Sequence, residues 1–583
     1  MINIIIANKL KLSSMKQIIE QAIKKVLKEL KIKPVDFIVE HPENMSFGDF
    51  STNVGIMTHK AKEICTALKA EESMKKIASE IEVAGAGFIN ISIKSKALIT
   101  QTNKVLMGDW EKPLKGKTFL LEHTSPNPNK AMHLGHLRNN LTGMALANIF
   151  EYLGAKVIKD CIDNNRGIAI AKLMWGYLKF GRKDKKQIKD IDYWFNHQDE
   201  WQTPEDTKQR PDRFVDELYV KGSEDCNSPE TEKKIRQLVI DWEAKDKKNW
   251  ALWKKVLQYS YEGQILTLKR LGSCWDKVWH EHEHYQQGKD LVKKGLKMGV
   301  FKTGKLGAIV TDLKKYGLDD TVVIKGDGTA LYITQDLALT KLKKETYKPE
   351  KLFWVIGPEQ SLALKQMFVC CEQLGIIKVK DCNHVAYGYM SLKGKGKMSS
   401  RLGTVIYIDD LLDEAKKQIQ SSFKSNDELA EKIGVGAVKY SILKVGRMKN
   451  IVFDFKESLS FEGNSGPYLQ YTYARAHSVL AKNGKNRTYR LTEVKNLSNE
   501  EEILLRTLYR YEEAVVEAAE NLAPNKIAEF LYDLAQKFNG FYNKHRVIGS
   551  GEAEPFRLWL TAAVSEIIKQ GLELLGISAP EKM

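Results

Sequence analysis

From Thr118 onward the chain alternates short apolar runs with longer helical stretches, and that alternation restricts its fold more than any other feature. FLLEH (119–123), KVIKD (156–160), TALYI (329–333) and LFWVI (352–356) have the length and composition of strands, and stretches such as 137–153 and 337–345 separate them. Strands divided by helices predict a Rossmann-type parallel sheet with crossover helices. A charged, tryptophan-rich stretch at 184–260 interrupts the pattern and is expected to be a helical insertion, within which EWQTPEDTKQRPDR reads as loop.

The flanks differ in kind. Over 14–30, Ile18, Ile19, Ala22, Ile23, Val26, Leu27 and Leu30 form one helical stripe, ended by Pro34. Strand-like runs follow at Phe37–Glu40 and Gly87–Ile93, with a helical stretch between Thr52 and Ile81. Beyond 460 the period is helical throughout. Leu504, Leu508, Tyr511 and Val515 read as one stripe, Ile527, Leu531, Leu534, Phe538 and Phe541 as another, and Leu558, Ala562, Ile567, Leu572 and Leu575 as a third. The organisation expected is a small α+β domain over 1–112, an α/β catalytic domain over 113–460 with its insertion at 184–260, and an all-α bundle over 461–583.

A chain of 583 residues exceeds any single small binding module. Lys plus Arg number 91 against 74 Asp plus Glu, a net charge of +17 that favours a polyanionic partner. The excess is spread along the chain, which points to a broad surface and not to a basic tail. Seven scattered cysteines without a C-x-x-C pair suit a reduced, cytoplasmic protein, and no run of eighteen apolar residues suggests a membrane span.

Two stretches carry chemistry. TSPNPNKAMHLGHLRNN (124–140) joins a strand to a helix N-terminus, where free N–H groups and the helix dipole favour an anion. His133 and His136 there would donate to phosphate oxygens, and Gly135 between them would let a flat base approach the backbone. GYMSLKGKGKMSSRLGTVIY (388–407) alternates Lys393, Lys395 and Lys397 with glycine ahead of two serines, a cationic hydroxyl-bearing loop suited to a triphosphate. The G-x-x-x-x-G-K-[ST] spacing of a Walker A loop is absent. HEHEH (280–284) would place His280, His282 and His284 on one strand face, a pattern open to a metal such as zinc.

HLGH (133–136) after SPN (125–127), with KMSS (397–400) far downstream, resembles the paired signatures of class I aminoacyl-tRNA synthetases, and more specifically of the arginyl-tRNA synthetases. GDFSTN (48–53), DNNRGIAIAK (163–172), ALYITQDLAL (330–339), GPEQSLALKQ (357–366) and FEGNSGPYLQYTYAR (461–475) extend the resemblance over nearly the whole chain. It implies an arginine–tRNA ligase: ATP and arginine give arginyl-adenylate and pyrophosphate, and the 3′-terminal adenosine of the tRNA then takes the arginyl group. By matching position, His133, His136 and Lys397 would be catalytic, and His133, Gly135, His136, Lys130, Lys397, Met398 and Ser399 would contact ATP. Glu122, Ser125, Asn127, His136, Glu281, Tyr332, Asp336 and Gln360 would hold arginine.

That pocket role for Glu281 leaves the three histidines on the other face, with no resident metal and only the Mg²⁺ that accompanies ATP. The partners implied are tRNA and small substrates, with no membrane, for a chain acting as a monomer. Tyr468, Tyr471, Tyr473 and Tyr542 are candidates to stack on unpaired bases, with His545 and Arg546 nearby. The sequence departs from the family at Ser400, where the second lysine of the loop belongs, which leaves Lys130, Lys393, Lys395 and Arg401 as candidates for the missing charge. A small-molecule adenylyltransferase and a catalytically silent tRNA-binding protein are the two other readings of the same residues.

Overall fold

The computed structural model describes residues 15–110, 112–188, 190–394, 405–484, 491 and 496–583. At its centre is a five-stranded parallel sheet of β1 (Thr118–Glu122), β2 (Lys156–Asp163), β3 (Lys277–His280), β4 (Lys351–Trp354) and β5 (Cys382–His384). The strand order is β5-β4-β1-β2-β3. The chain therefore builds outward from β1 to one edge and returns to β1's other side with β4. Strand order reverses between β1 and β4, and the crevice beyond their C-terminal ends is where such sheets bind ligands. Both strands are apolar along their length, with Leu120, Leu121, Leu352 and Phe353 fully buried, as a sheet covered on both faces requires.

FLLEH, KVIKD and LFWVI form strands as their composition predicts. TALYI (329–333) does not. Leu331 is extended, its N–H bonded to the Val323 carbonyl at 3.0 Å, and a helix over Tyr332–Tyr347 begins at once, held by Thr334 Oγ1 on the same carbonyl at 2.6 Å. That run follows a small antiparallel sheet of Phe301–Thr303, Ile309–Thr311 and Val322–Ile324, which the sequence pattern does not announce.

The insertion is helical, and two helices begin within the segment expected as loop. Thr203 and Asp206 cap each other around Pro204–Thr207, and Pro211 opens a helix to Asp225. That helix crosses Ile168–Phe180 at van der Waals range. A Cβ on Gly176 would lie 2.0 Å from the Leu218 carbonyl oxygen, so only glycine allows the crossing.

The N-terminal unit packs the Met15–Glu29 helix on an antiparallel sheet whose last strand is Phe88–Ile93. It docks onto the C-terminal bundle, where Arg506 meets Asp49 at 2.8 Å and His41 meets Glu513 at 2.9 Å. The stripe read through Leu504, Leu508, Tyr511 and Val515 belongs to two helices, Asn499–Leu508 and Tyr511–Glu520, which break at Tyr509–Arg510. The other stripes lie on Asn525–Lys544 and Glu554–Leu574, with Ile527, Leu531, Leu534, Phe538 and Phe541 wholly buried.

Candidate active site

β1 ends at Glu122, and Thr124 then takes a left-handed conformation (φ 52°) that turns the chain out of the sheet. The Asn139 amide joins the two central strands beyond their ends: its Oδ1 accepts from Thr124 N–H at 2.8 Å and its Nδ2 donates to the Val355 carbonyl at 2.7 Å. His133 is the extended N-cap of the Leu134–Tyr152 helix. Its Nδ1 accepts from the Gly135 N–H at 3.2 Å, while its own N–H donates to His136 Nδ1 at 3.1 Å, a capping box made of two imidazoles. The rings lie 4.1 Å apart, centroid to centroid.

Because both Nδ1 atoms accept backbone protons, each neutral ring carries its hydrogen on Nε2. Burial, then the positive charge of Lys130, lowers His133 to about 4. Burial, then His133 and Lys130, takes His136 well below the usual histidine value. The pair is thus neutral at physiological pH and presents two N–H donors. A Cβ on Gly135 would lie 3.0 Å from the His133 ring, so a side chain there would crowd the same space.

The second chemical stretch meets the first directly. His133 and Tyr407 form an antiparallel bridge, with the Leu134 N–H on the Ile406 carbonyl and the Ile408 N–H on the Met132 carbonyl, each at 3.1 Å. Lys395, Lys397, Met398, Ser399, Ser400 and Arg401 lie outside the described residues. On the other flank Lys393 pairs with Asp454 at 2.5 Å, and Lys130 is half-buried beside the histidines.

Where Glu122 of β1 pairs in register with Asp160 of β2 is a buried acidic cluster. Lys343 Nζ lies 2.7 Å from Glu122 Oε2 and 2.8 Å from Asp160 Oδ2, with all three side chains at most 2% exposed. Trp279 Nε1 donates to Asp160 at 2.8 Å. Burial pulls the Lys343 ammonium down, but Asp160 and Glu122 outweigh it and hold the group charged. Asp336 lies two turns before Lys343 on the same helix; burial, then the Glu122 charge, pushes its carboxyl up to about 7. Glu281 is buried and paired with Arg166 at 3.3 Å, and Arg166 lies over the Tyr285 ring at 4.1 Å.

Ser125 Oγ accepts from the Ile162 N–H at 3.0 Å, and Asn127 accepts from Asn164 at 3.3 Å. Tyr332 is 80% exposed at the start of its helix. Gln360 is exposed on the Pro358–Gln360 turn. Glu122 Oε2 is thus engaged by a lysine that sequence reading missed. Asp160, Arg166 and Arg138 were also missed; Arg138, 2% exposed, donates to the carbonyls of Gly388 at 2.7 Å and Arg447 at 2.9 Å and ties the histidine helix to the downstream chain.

HEHEH is not one strand. β3 ends at His280, and Glu281–His284 is a helical turn, with the His280 and His282 rings 5.7 Å apart, centroid to centroid. His280 Nδ1 bonds Asp163 at 2.6 Å, His282 faces Asn165 at 3.0 Å, and His284 is buried. Among the described residues no group of three His, Cys, Asp or Glu is arranged to hold a metal, and no helix is long and apolar enough to cross a membrane.

Of the bundle aromatics, Tyr473 is core at 4% exposure, and Tyr468 accepts from Asn539 Nδ2 at 2.9 Å. Tyr471 and Tyr542 flank the Arg475 guanidinium at 4.8 and 5.2 Å, an arrangement reaching the surface. His545 is paired with Glu500 at 3.1 Å, and Arg546 with the Ile548 carbonyl at 2.8 Å.

Three family models match this chain in order: the arginyl tRNA synthetase N terminal domain over 13–93, the tRNA synthetases class I (R) catalytic domain over 98–455, and the DALR anticodon binding domain over 469–583. Among curated relatives, the arginine–tRNA ligase of Bacteroides thetaiotaomicron is 34% identical over 90% of each chain. That of Phocaeicola vulgatus is 36% identical over 85% of this chain and 86% of its own. Among solved structures, Thermus thermophilus arginyl-tRNA synthetase superposes with a TM-score of 0.80 at 26% identity, covering 98% of this chain and 100% of the other. The Plasmodium falciparum arginyl-tRNA synthetase shares the fold at a TM-score of 0.78 and 20% identity, with the same coverage.

Proposed function

The chain belongs to the arginyl-tRNA synthetase family of class I, ATP-dependent arginine–tRNA ligases, and from that premise we propose how its own residues divide the reaction. His133 and His136 donate from Nε2 to the phosphate oxygens of ATP, which enters with its own Mg²⁺. Neutral donors suit this task because they stabilise charge as it develops on the phosphates without first exchanging a proton. Gly135 leaves room for the adenine. Lys397, with Met398 and Ser399 beside it, reaches the phosphates from the other stretch, and Lys130 supplies the charge that Ser400 lacks.

Arginine lies at the acidic cluster. Its guanidinium forks onto Asp336, with Tyr332, Gln360 and the Arg166-held Glu281 around it. A planar cation with parallel N–H donors matches a carboxylate in a way a lysine ammonium does not. Ser125 and Asn127 orient the α-amino end. Glu122, already engaged by Lys343, contributes charge to that end. The arginine carboxylate attacks the α-phosphorus in line as pyrophosphate departs, and a ribose hydroxyl of the terminal adenosine then attacks the carbonyl as AMP departs. The bundle and the N-terminal unit bind the tRNA, and the enzyme works as a monomer in the cytoplasm.

Two observations support this reading: the backbone pairing of His133 with Tyr407, and a cluster of four buried or half-buried carboxyls, Glu122, Asp160, Glu281 and Asp336, around one internal ammonium. The test is ATP–pyrophosphate exchange across the twenty amino acids, with and without tRNA. Exchange should depend on arginine and appear only with tRNA; exchange driven by another amino acid would overturn the residue assignment.

A further inference from the structure

The helical insertion touches the downstream stretch at Tyr407. Asp216, on the Pro211–Asp225 helix, accepts a hydrogen bond from Tyr407 Oη at 2.9 Å. Tyr407 is the residue bridged to His133. Burial raises the Asp216 carboxyl above its ordinary value, against the Tyr407 hydrogen bond and the Lys130 charge, which favour the ionised form. Arg213, one residue before Phe214, covers the Tyr407 ring at 3.1 Å and reaches Asp410 at 2.8 Å. Asp216 therefore holds the Tyr407 side of the pairing that brings the two stretches together.

These polar contacts are not what folds the helix. Phe214, Val215 and Leu218 are buried in the insertion's own core with Ile170, Leu173, Met174 and Tyr177. The face that carries Arg213 and Asp216 is turned to the catalytic domain instead. Reacting groups displaced by about 1 Å lose on the order of a hundredfold in rate, so a contact that fixes the register of His133 bears on chemistry without touching substrate.

We propose that Asp216 is a positioning residue for adenylation, holding the HLGH turn and the Ile406–Ile408 segment in register through Tyr407. The inference rests on the reading of His133 and His136 as ATP contacts. It gives the insertion a part in the first step of the reaction.

The test uses the full chain with its tRNA. Asp216→Asn, Tyr407→Phe, the double variant and His136→Ala are compared in ATP–pyrophosphate exchange, with KM for ATP and arginine and the tRNA affinity measured separately. Loss of one hydrogen bond to a charged group predicts about a tenfold fall in kcat/KM for ATP in each single variant. The arginine KM and tRNA affinity should not move, and the double variant should be no slower than the worse single one, since both break the same link. Normal exchange in both single variants, with His136→Ala slow, would overturn the inference. So would additive losses, or an equal rise in the arginine KM, either of which marks general loosening. A normal His136→Ala enzyme would overturn the ATP reading beneath it.

Discussion

Lys343 donates to Glu122 at 2.7 Å in a place where neither side chain exposes more than 2% of its surface. The same ammonium serves Asp160, so one cation separates two buried anions. Replacing it with methionine leaves both carboxylates desolvated and facing each other, a loss on the order of 3–5 kcal/mol for a broken buried pair. Urea unfolding of Lys343→Met should show that drop, and the variant that retains a fold should have a raised arginine KM. Wild-type stability would show that the triad is not what holds the cluster.

Asp336 gives arginine binding a pH dependence. Its carboxyl is raised from 3.8 to about 7, first by burial and then by the charge on Glu122. A raised folded value means that this group favours the folded state below 3.8 and that the advantage disappears as pH rises through about 7. A bound guanidinium reverses the preference, because it needs the ionised form. The arginine KM should therefore rise as pH falls below about 7, and arginine should raise the melting temperature more on the alkaline side of that value than on the acid side. A flat KM profile would remove Asp336 from the guanidinium site.

The histidine pair predicts the opposite behaviour for turnover. Burial and Lys130 hold His133 near 4, so neither imidazole takes up a proton as pH passes through 6.5. At saturating arginine, kcat should not follow a histidine titration at 6.5. His136→Ala should lower exchange on the order of a hundredfold, the cost of one donor to developing charge. An acid limb at 6.5 that vanishes in His133→Gln would show that an imidazolium is the working form.

What the sequence made legible depended on how local the determinant was. FLLEH and LFWVI read correctly because a buried parallel strand is a short apolar run wherever it lies. The place of His133 and His136 at a helix N-terminus was legible because they stand three positions apart just after a strand-like run. TALYI misled because so short a run at a helix start carries no period of its own, and hydrogen bonds from Leu331 and Thr334 to Val323 decide the matter. EWQTPEDTKQRPDR read as loop, although Pro204 and Pro211 each stand at the first position of a helix, where proline is favoured. Lys343 was invisible, since its partner Glu122 lies 221 residues earlier. Asp216 was hidden likewise, 191 residues from Tyr407.

Arg506 joins the two ends of the chain. Its Nε lies 2.8 Å from Asp49 Oδ1 and its Nη2 donates to the Met45 carbonyl at 2.9 Å. Asp49, 2% exposed, uses its other oxygen to accept from the Ile93 N–H at 2.7 Å within the N-terminal sheet. His41 with Glu513 and Gln101 with Glu512 reinforce the same contact. Arg506→Met strands a buried carboxylate at that junction, with a penalty on the order of 3–5 kcal/mol that falls on docking more than on the catalytic core. Hydrogen exchange should then rise across the docked face of the N-terminal unit and of the Asn499–Leu508 helix while the β1 and β4 amides stay protected. If the N-terminal unit helps to hold tRNA, the tRNA KM should rise in this variant with the ATP and arginine KM unchanged. An unaltered tRNA KM, measured alongside the increased exchange, would assign tRNA binding to the bundle alone.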